Sequence, residues 1–190
     1  VGANQGETID ISSIASARAD ALGVGTTSSY ATSLTATVIT GAITAGGVTV
    51  NGYGIGPTNS DGVSSTLATS SAIAKAAAFN SVSGQTGVSA VATATTVTGA
   101  AGTFGAVNGV ADSISINGVN VGAIDAGANA IEMGSNTAAA INAVSNQTGV
   151  TATFSTATGA VSLTAADGRN VTIAATGTAA AETGLTAATT

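Results

Sequence analysis

The first periodic feature of the chain is an alternation of apolar and polar residues that stops at Asn-Gly and then resumes. Residues 48–50 are Val-Thr-Val, Asn51-Gly52 follows, and residues 53–55 are Tyr-Gly-Ile. Asn-Gly tolerates the positive φ angles of a type I′ turn, which joins two antiparallel strands. The pattern therefore predicts a β-hairpin over residues 48–56.

This hairpin pattern is the start of an internal repeat. It returns 66 residues later, where Ile-Ser-Ile at 114–116 and Val-Asn-Val at 119–121 flank Asn117-Gly118. Apolar residues then recur every three positions, which places them on one side of a short helix. At an offset of 62 residues, the helix positions of the two copies are Ala76, Phe79 and Val82, and Ala138, Ile141 and Val144.

The end of each predicted helix is also repeated. Gln-Thr-Gly-Val stands at residues 85–88 and again at 147–150. A glycine at this position predicts a left-handed cap that ends the helix. Alternation of apolar and polar residues then predicts a strand over 88–92 in the first copy and over 150–154 in the second.

The second copy continues with two more predicted strands. Turns at Thr158-Gly159 and Asp167-Gly168 precede alternating segments that contain Val161 and Leu163, and Val171 and Ile173. Each unit is therefore predicted to be α+β: a hairpin, a short helix and antiparallel strands, with the helix packed on a sheet.

We divide the chain into an N-terminal stem (1–45), a first unit (46–111) and a second unit with a return segment (112–190). The stem is predicted to contain strands at 8–11 and 34–38 and a short helix over 14–22.

The composition indicates a folded chain with an unusual surface. Hydrophobic residues make up 44% of the sequence, but only 3% of residues are aromatic and 6% are charged. Disordered chains combine low hydrophobicity with high charge, which is the opposite pattern. A surface of hydroxyls and amides suits an exposed extracellular assembly. Small side chains bury little apolar area, so we expect the hydrogen bonds of long sheet ladders to contribute more than usual to the stability of the fold.

The charge excludes two classes of partner. The net charge is −6, and the basic residues are Arg18, Lys75 and Arg169. Three scattered cations cannot form the basic patch that binds nucleic acid or an anionic lipid surface.

The sequence has no apolar run of the length that a transmembrane helix requires. It also does not open on a signal peptide, so we expect export without a cleaved signal, or an internal fragment.

The chemistry-bearing residues predict no enzyme, cofactor or metal site. The chain has no His and no Cys, which excludes Ser-His-Asp and Cys-His triads. Asp61-Gly62 and Asp167-Gly168 lack the ligand spacing of an EF-hand and are interpreted as turns. Residues 52–56 lack the Lys-Ser/Thr of a phosphate-binding loop. None of the acids stands in a recognisable metal or glycosidase pattern; they are Glu7, Asp10, Asp20, Asp61, Asp112, Asp125, Glu132, Asp167 and Glu182.

Two weaker signals concern glycans and aromatic residues. Residues 146–148 and 170–172 are formal N-glycosylation sequons, and we interpret them as chance matches. The few aromatic side chains are too widely spaced to form a ligand-stacking platform, so they are expected to anchor the core. They are Tyr30, Tyr53, Phe79, Phe104 and Phe154.

Ile116-Asn117-Gly118 in a hairpin, followed by Ile141-Asn142 in a helix, resembles the flagellin hook IN motif. The first copy departs from it, since Val50 replaces the first isoleucine and Phe79-Asn80 replaces Ile-Asn. Residues 1–9 are similar to the segment where flagellins leave their first helical rod domain. Residues 165–173 are similar to a segment near the return to it.

The resemblance implies the variable, surface-exposed outer region of a bacterial flagellin. Such a domain would be a structural part of the extracellular filament, and many flagellins carry O-linked glycans there. Its partners would be other flagellin subunits, bound through terminal helices absent from this sequence, and possible immune receptors or antibodies of a host. An insert of this kind predicts that Val1 and the last ordered residue lie at the same end of the molecule.

Three other functions stay open at this point. A filament cap or a hook-associated protein shares the IN motif. A surface adhesin or glycan-binding module would show a shallow groove with clustered aromatic residues. An enzyme would need a deep pocket with two close carboxylates.

Overall fold

The computed structural model of the protein describes residues 40–190, which lie in one compact unit, Ile39–Thr190. Most of the predicted stem, including its strands and helix, lies outside the described residues, and so does Val1. The elements are β1 (Thr49–Val50), β2 (Tyr53–Gly54), α1 (Ala72–Asn80), α2 (Ser83–Thr86), β3 (Thr95–Thr98), β4 (Ser113–Ile116), β5 (Val119–Asn120), α3 (Ala130–Ala143), α4 (Ser145–Thr148), β6 (Thr151–Phe154), β7 (Val161–Ala165), β8 (Thr172–Thr176), α5 (Ala179–Thr183) and β9 (Ala188–Thr189).

Both predicted hairpins form around their Asn-Gly pairs. Asn51 and Gly52 have φ angles of 49° and 84°, and Asn117 and Gly118 have φ angles of 51° and 82°. Two successive positive φ angles are the requirement of a type I′ turn, and asparagine and glycine meet it at the lowest steric cost. β1 pairs with β2, and β4 pairs with β5, both antiparallel.

The helices begin and end at residues suited to those positions. The Ser71 side chain accepts a hydrogen bond from the backbone N–H of Ala74 at the start of α1. The Asn129 side chain accepts from the N–H groups of Ile131 and Glu132 at the start of α3. Such side chains satisfy N–H groups that have no partner within the helix. The short helices α2 and α4 end at glycines in the left-handed conformation, as predicted for Gly87 and Gly149.

The strands form three antiparallel sheets. Their strand orders are β1-β2, β3-β7-β6 and β5-β4-β8-β9. β3 belongs to the first repeat, but it pairs with β7 of the second over four residues, with Val97 opposite Leu163. The two repeats therefore share a sheet, and β7 lies between strands from both.

The hydrophobic core lies mainly in the second repeat. α3 covers the sheet of β6 and β7, and its Met133 and Ile141 are buried with Ile114 and Ile116 of β4. The first repeat has a separate small cluster of Ile43, Ile55 and Ala78. Burial of apolar area therefore contributes more to the stability of the second repeat than to that of the first.

The α+β class, with two units that each contain a hairpin, a helix and antiparallel strands, is confirmed. Two details differ from the prediction. Residues 88–92 form no regular strand, and the first repeat reaches its ladder only at β3. The ladders are also short, because no described strand exceeds five residues.

Candidate functional site

The carboxylates of the described residues are dispersed, and most of them hold the backbone in place. No group of three or more acidic residues within residues 40–190 is arranged to hold a metal ion. The Asp112 carboxylate accepts the Thr178 N–H at 2.9 Å. Glu132 accepts the Ala128 N–H at 2.9 Å, in front of α3. Glu182 accepts the Thr103 hydroxyl at 2.8 Å and also the Gly105 N–H. Glu7, Asp10 and Asp20 lie outside the described residues.

Asp61 orders the loop that leads into α1. Its carboxylate accepts the N–H groups of Val63 and Ser64 at 3.0 and 2.9 Å, and the Ser64 hydroxyl at 2.6 Å. Burial by itself raises the pKa of Asp61, but hydrogen bonds from Ser64, Ser71 and Val63 outweigh it and lower the pKa to about 2. Because these donors occupy the carboxylate, Asp61-Gly62 forms a turn in which the acid satisfies the chain itself.

Asp167 and Arg169 form the corresponding polar turn after β7. A guanidinium nitrogen of Arg169 lies 2.7 Å from the Asp167 carboxylate, and Asp167 also accepts the Arg169 N–H at 3.1 Å. The hydrogen bond from the Arg169 side chain lowers the pKa of Asp167, and the same bond raises the pKa of Arg169. The guanidinium lies over Gly149, where a Cβ would come within 2.3 Å of it. This pair therefore fixes the turn against the end of α4.

The asparagines of the two hairpins have the same hydrogen-bond role. The Asn51 side chain donates to the Thr86 carbonyl at 2.8 Å, and the Asn117 side chain donates to the Thr148 carbonyl at 2.9 Å. Each acceptor immediately precedes the glycine that ends α2 or α4. An asparagine in the turn therefore satisfies a carbonyl that the helix end leaves without an intrahelical partner.

The helix asparagines are also equivalent in the two repeats. Asn142 donates to the Ala152 carbonyl at 2.9 Å and accepts the Ala152 N–H at 2.8 Å. Asn80 makes the same two bonds with Ala90, at 2.9 and 2.8 Å. Each amide thus binds the backbone as a neighbouring strand would: Asn142 lies on the free edge of β6, and Asn80 lies on the irregular segment that contains Ala90. We call these four side chains (Asn51, Asn80, Asn117 and Asn142) the anchor asparagines.

A loop of the first repeat docks on the second. The Asn170 N–H donates to the Ser64 hydroxyl at 3.0 Å, and its side chain donates to the carbonyls of Thr66 and Leu67 at 3.1 and 3.2 Å. The hydroxyls of Thr66 and Thr172 are also hydrogen-bonded to each other. We call residues 61–67 the junction loop, because they connect the repeats through side chains and backbone together.

The exposure of individual residues corrects the expectation about the aromatic side chains and bears on the two N-glycosylation sequons. Tyr53 and Phe104 are 49% and 44% exposed, so they are not core anchors, although Phe79 and Phe154 pack against the two hydrophobic clusters. Tyr30 lies outside the described residues. Asn170 is only 7% exposed, and its amide is occupied by the junction loop, so it is not available to a glycosylating enzyme. Asn146 of the other sequon is exposed.

Two grooves in the described part of the chain are concave enough to be considered as ligand sites. The first, of about 420 Å³, lies between residues 56–61 and α1, and Asp61 is the acid that lines it. The second, of about 410 Å³, lies between α3 and β6 and is lined by Asn142 and Phe154 among small residues. Neither groove contains two carboxylates, and neither has clustered aromatic residues.

No family model matches this chain, and no curated protein is detectably similar to it. Among residues 40–190, no helix is long and apolar enough to cross a membrane.

Proposed function

We propose that this chain is a surface-exposed structural domain of a bacterial flagellin, part of the extracellular filament that drives motility. The observation that supports this role is the hairpin-and-helix unit built twice around the anchor asparagines. Asn117 and Asn142 are the asparagines of the motif that resembles the flagellin hook IN motif, and each has a defined hydrogen-bond role. The motif is thus a folding unit in this chain.

The distribution of polar groups also supports a structural role. Five described carboxylates accept hydrogen bonds from the protein itself: Asp61, Asp112, Glu132, Asp167 and Glu182. Groups that are used to hold the backbone are unsuited to bind and release a substrate. Among the described residues, the exposed positions are mostly Ala, Thr, Gly and Asn, which suits dense packing of many copies without strong electrostatic repulsion.

In this role the domain determines the thickness, the surface polarity and the antigenic character of the filament. Assembly is carried by terminal helices of the flagellin, outside this chain, and its partners are neighbouring flagellin subunits. Host receptors or antibodies would meet the exposed surface. A cap or hook-associated protein is the alternative that shares the same motif.

Deletion in the bacterium distinguishes these possibilities. The coding region for residues 1–190 is replaced in frame by a short flexible linker, and cells are compared by negative-stain electron microscopy. We expect filaments that still form but are thinner and smoother. An absence of filaments, with monomers released into the medium, would contradict the flagellin role and support the cap. Binding of the intact chain to a glycan array would instead indicate an adhesin.

A further inference from the structure

The described chain contains three Asn-Gly pairs, at residues 51–52, 108–109 and 117–118. In such a pair the glycine nitrogen can attack the side-chain carbonyl carbon of asparagine. A C–N bond forms, ammonia leaves with its proton, and the product is a five-membered succinimide. Water then opens the ring to aspartate or isoaspartate. The reaction requires no enzyme, but the asparagine must leave its turn geometry and the glycine N–H must be free to lose its proton.

We propose that Asn51 is a site of spontaneous deamidation in the folded protein, and that the fold protects Asn108 and Asn117. The proposal concerns a spontaneous reaction of the chain itself, completed by water, and does not depend on the role in a filament. It follows from the different ways in which the three asparagines are held.

Asn117 is held at both ends of its amide. Its nitrogen donates to the Thr148 carbonyl, and its oxygen accepts the Thr172 N–H at 2.9 Å and the Ser65 hydroxyl at 3.5 Å. The turn follows β4, which pairs with β5 on one side and β8 on the other, and Ile116 is fully buried. Opening this turn would disrupt an interior strand of the main core, so the reactive geometry is rarely reached.

Asn108 is protected by its backbone. The Gly109 N–H, which would have to lose its proton, donates to the Asp112 carbonyl at 2.8 Å. The Asn108 side-chain oxygen accepts the N–H groups of Val110 and Asp112 at 2.8 and 3.2 Å. Nucleophile and target are therefore both engaged in the same tight turn.

Asn51 is held more weakly. Its amide makes one described bond, to the Thr86 carbonyl at 2.8 Å, and Asn51 and Gly52 are both exposed. β1 and β2 have two residues each and form a separate two-stranded sheet. Two-stranded hairpins are marginally stable in water, so this turn opens at low free-energy cost. The small cluster around Ile55 is its main hydrophobic support.

Deamidation at Asn51 would change the first repeat. The amide donor to the Thr86 carbonyl becomes a carboxylate oxygen, which faces that carbonyl without a proton between them. An acceptor placed against an acceptor is repulsive, so the hairpin loses its connection to α2. The surface also gains a negative charge on a chain whose net charge is already −6.

The experiment is a time course on the whole chain at mildly alkaline pH, followed by proteolysis and mass spectrometry of the three Asn-Gly peptides. The matched control is the same chain in concentrated urea, where all three pairs are unfolded. We expect Asn51 in the folded protein to react at least about tenfold faster than Asn108 and Asn117, a difference of about 1.4 kcal/mol. In urea the three rates should converge.

Two results would overturn the proposal. One is a folded-state rate at Asn108 or Asn117 that equals or exceeds the rate at Asn51. The other is an unreacted Asn51 in the folded protein over a period in which urea allows all three pairs to react. An Asn51→Asp variant, which mimics one product, should show faster hydrogen exchange over residues 49–55 than the unmodified chain. An unchanged exchange rate there would contradict the stated role of the Asn51 bond.

Discussion

Buried threonine hydroxyls differ sharply in how they are satisfied. The Thr183 hydroxyl in α5 donates to the Ala179 carbonyl at 2.7 Å and accepts the Leu185 N–H at 3.2 Å. Thr137 in α3 is fully buried, and its hydroxyl has no hydrogen-bond partner among the described residues. An unsatisfied buried hydroxyl destabilises the folded state by about 1–3 kcal/mol, whereas a satisfied one is stabilising.

These two positions give opposite predictions for the same substitution. Thr137→Val keeps the side-chain shape and removes the unpaired hydroxyl, so it should raise the free energy of unfolding by about 1 kcal/mol. Thr183→Val removes a hydroxyl with two partners and should lower the free energy of unfolding by about 1–3 kcal/mol. Urea denaturation followed by circular dichroism measures both. A lower free energy of unfolding for Thr137→Val would show that the Thr137 hydroxyl has a partner, and a higher one for Thr183→Val would contradict the two bonds of Thr183.

At the scale of elements, α3 meets the turn between β6 and β7 backbone to backbone. A Cβ on Gly134 of α3 would lie 2.1 Å from the Gly159 carbonyl oxygen, and a Cβ on Gly159 would lie 2.0 Å from the Ala130 carbonyl oxygen. Both distances are far below van der Waals contact, so both glycines are required for this approach. The approach brings Met133 and Ile141 into the core.

Alanine scanning of two helical glycines tests this packing. Gly134→Ala should lower the free energy of unfolding by about 1–3 kcal/mol, because the methyl group forces α3 away from the turn. Gly84→Ala in α2 is the control, since nothing lies within 4 Å of its added Cβ. There the better helix propensity of alanine should leave stability unchanged or raise it by up to about 1 kcal/mol. Equal effects at the two sites would contradict the close approach.

At the scale of the whole molecule, the repeats are connected by the β3–β7 ladder and by the junction loop. Asp61 orders that loop, and its pKa is lowered to about 2. Since the folded-state pKa lies below the ordinary value of 3.8, the ionised carboxylate stabilises the fold above that value. The contribution is lost as the pH falls from about 4 towards about 2.

The ionisation of this loop residue therefore contributes to the pH dependence of stability. Asp61→Asn should be less stable than the unmodified chain near neutral pH, because asparagine cannot accept all the bonds that the carboxylate accepts. The difference should shrink towards zero as the pH approaches about 2, where Asp61 becomes protonated. Urea denaturation of both proteins across this range measures the difference. A constant difference would mean that folding does not lower the pKa of Asp61.

Local structure was predictable from the sequence because its causes lie within a few residues. Asn-Gly requires little neighbouring structure to form a turn with two positive φ angles, and Gly87 and Gly149 end their helices in the same local way. The internal repeat was predictable because both copies carry these same local turn and cap residues. The absence of His and Cys in the sequence likewise excludes the triads that depend on them.

Interactions between distant segments were decided only by the tertiary structure. The alternation over residues 88–92 predicted a strand, but β7 pairs with β3 and β6 instead, so residues 88–92 remain irregular. α5 and β9 have little local pattern and form where Leu185 and its neighbours reach the core. The exposure of Tyr53 and the docking of the junction loop on Asn170 depend equally on long-range contacts. The sequence by itself thus determined the turns, the caps and the repeated unit, whereas strand pairing depends on which edges the folded chain brings together.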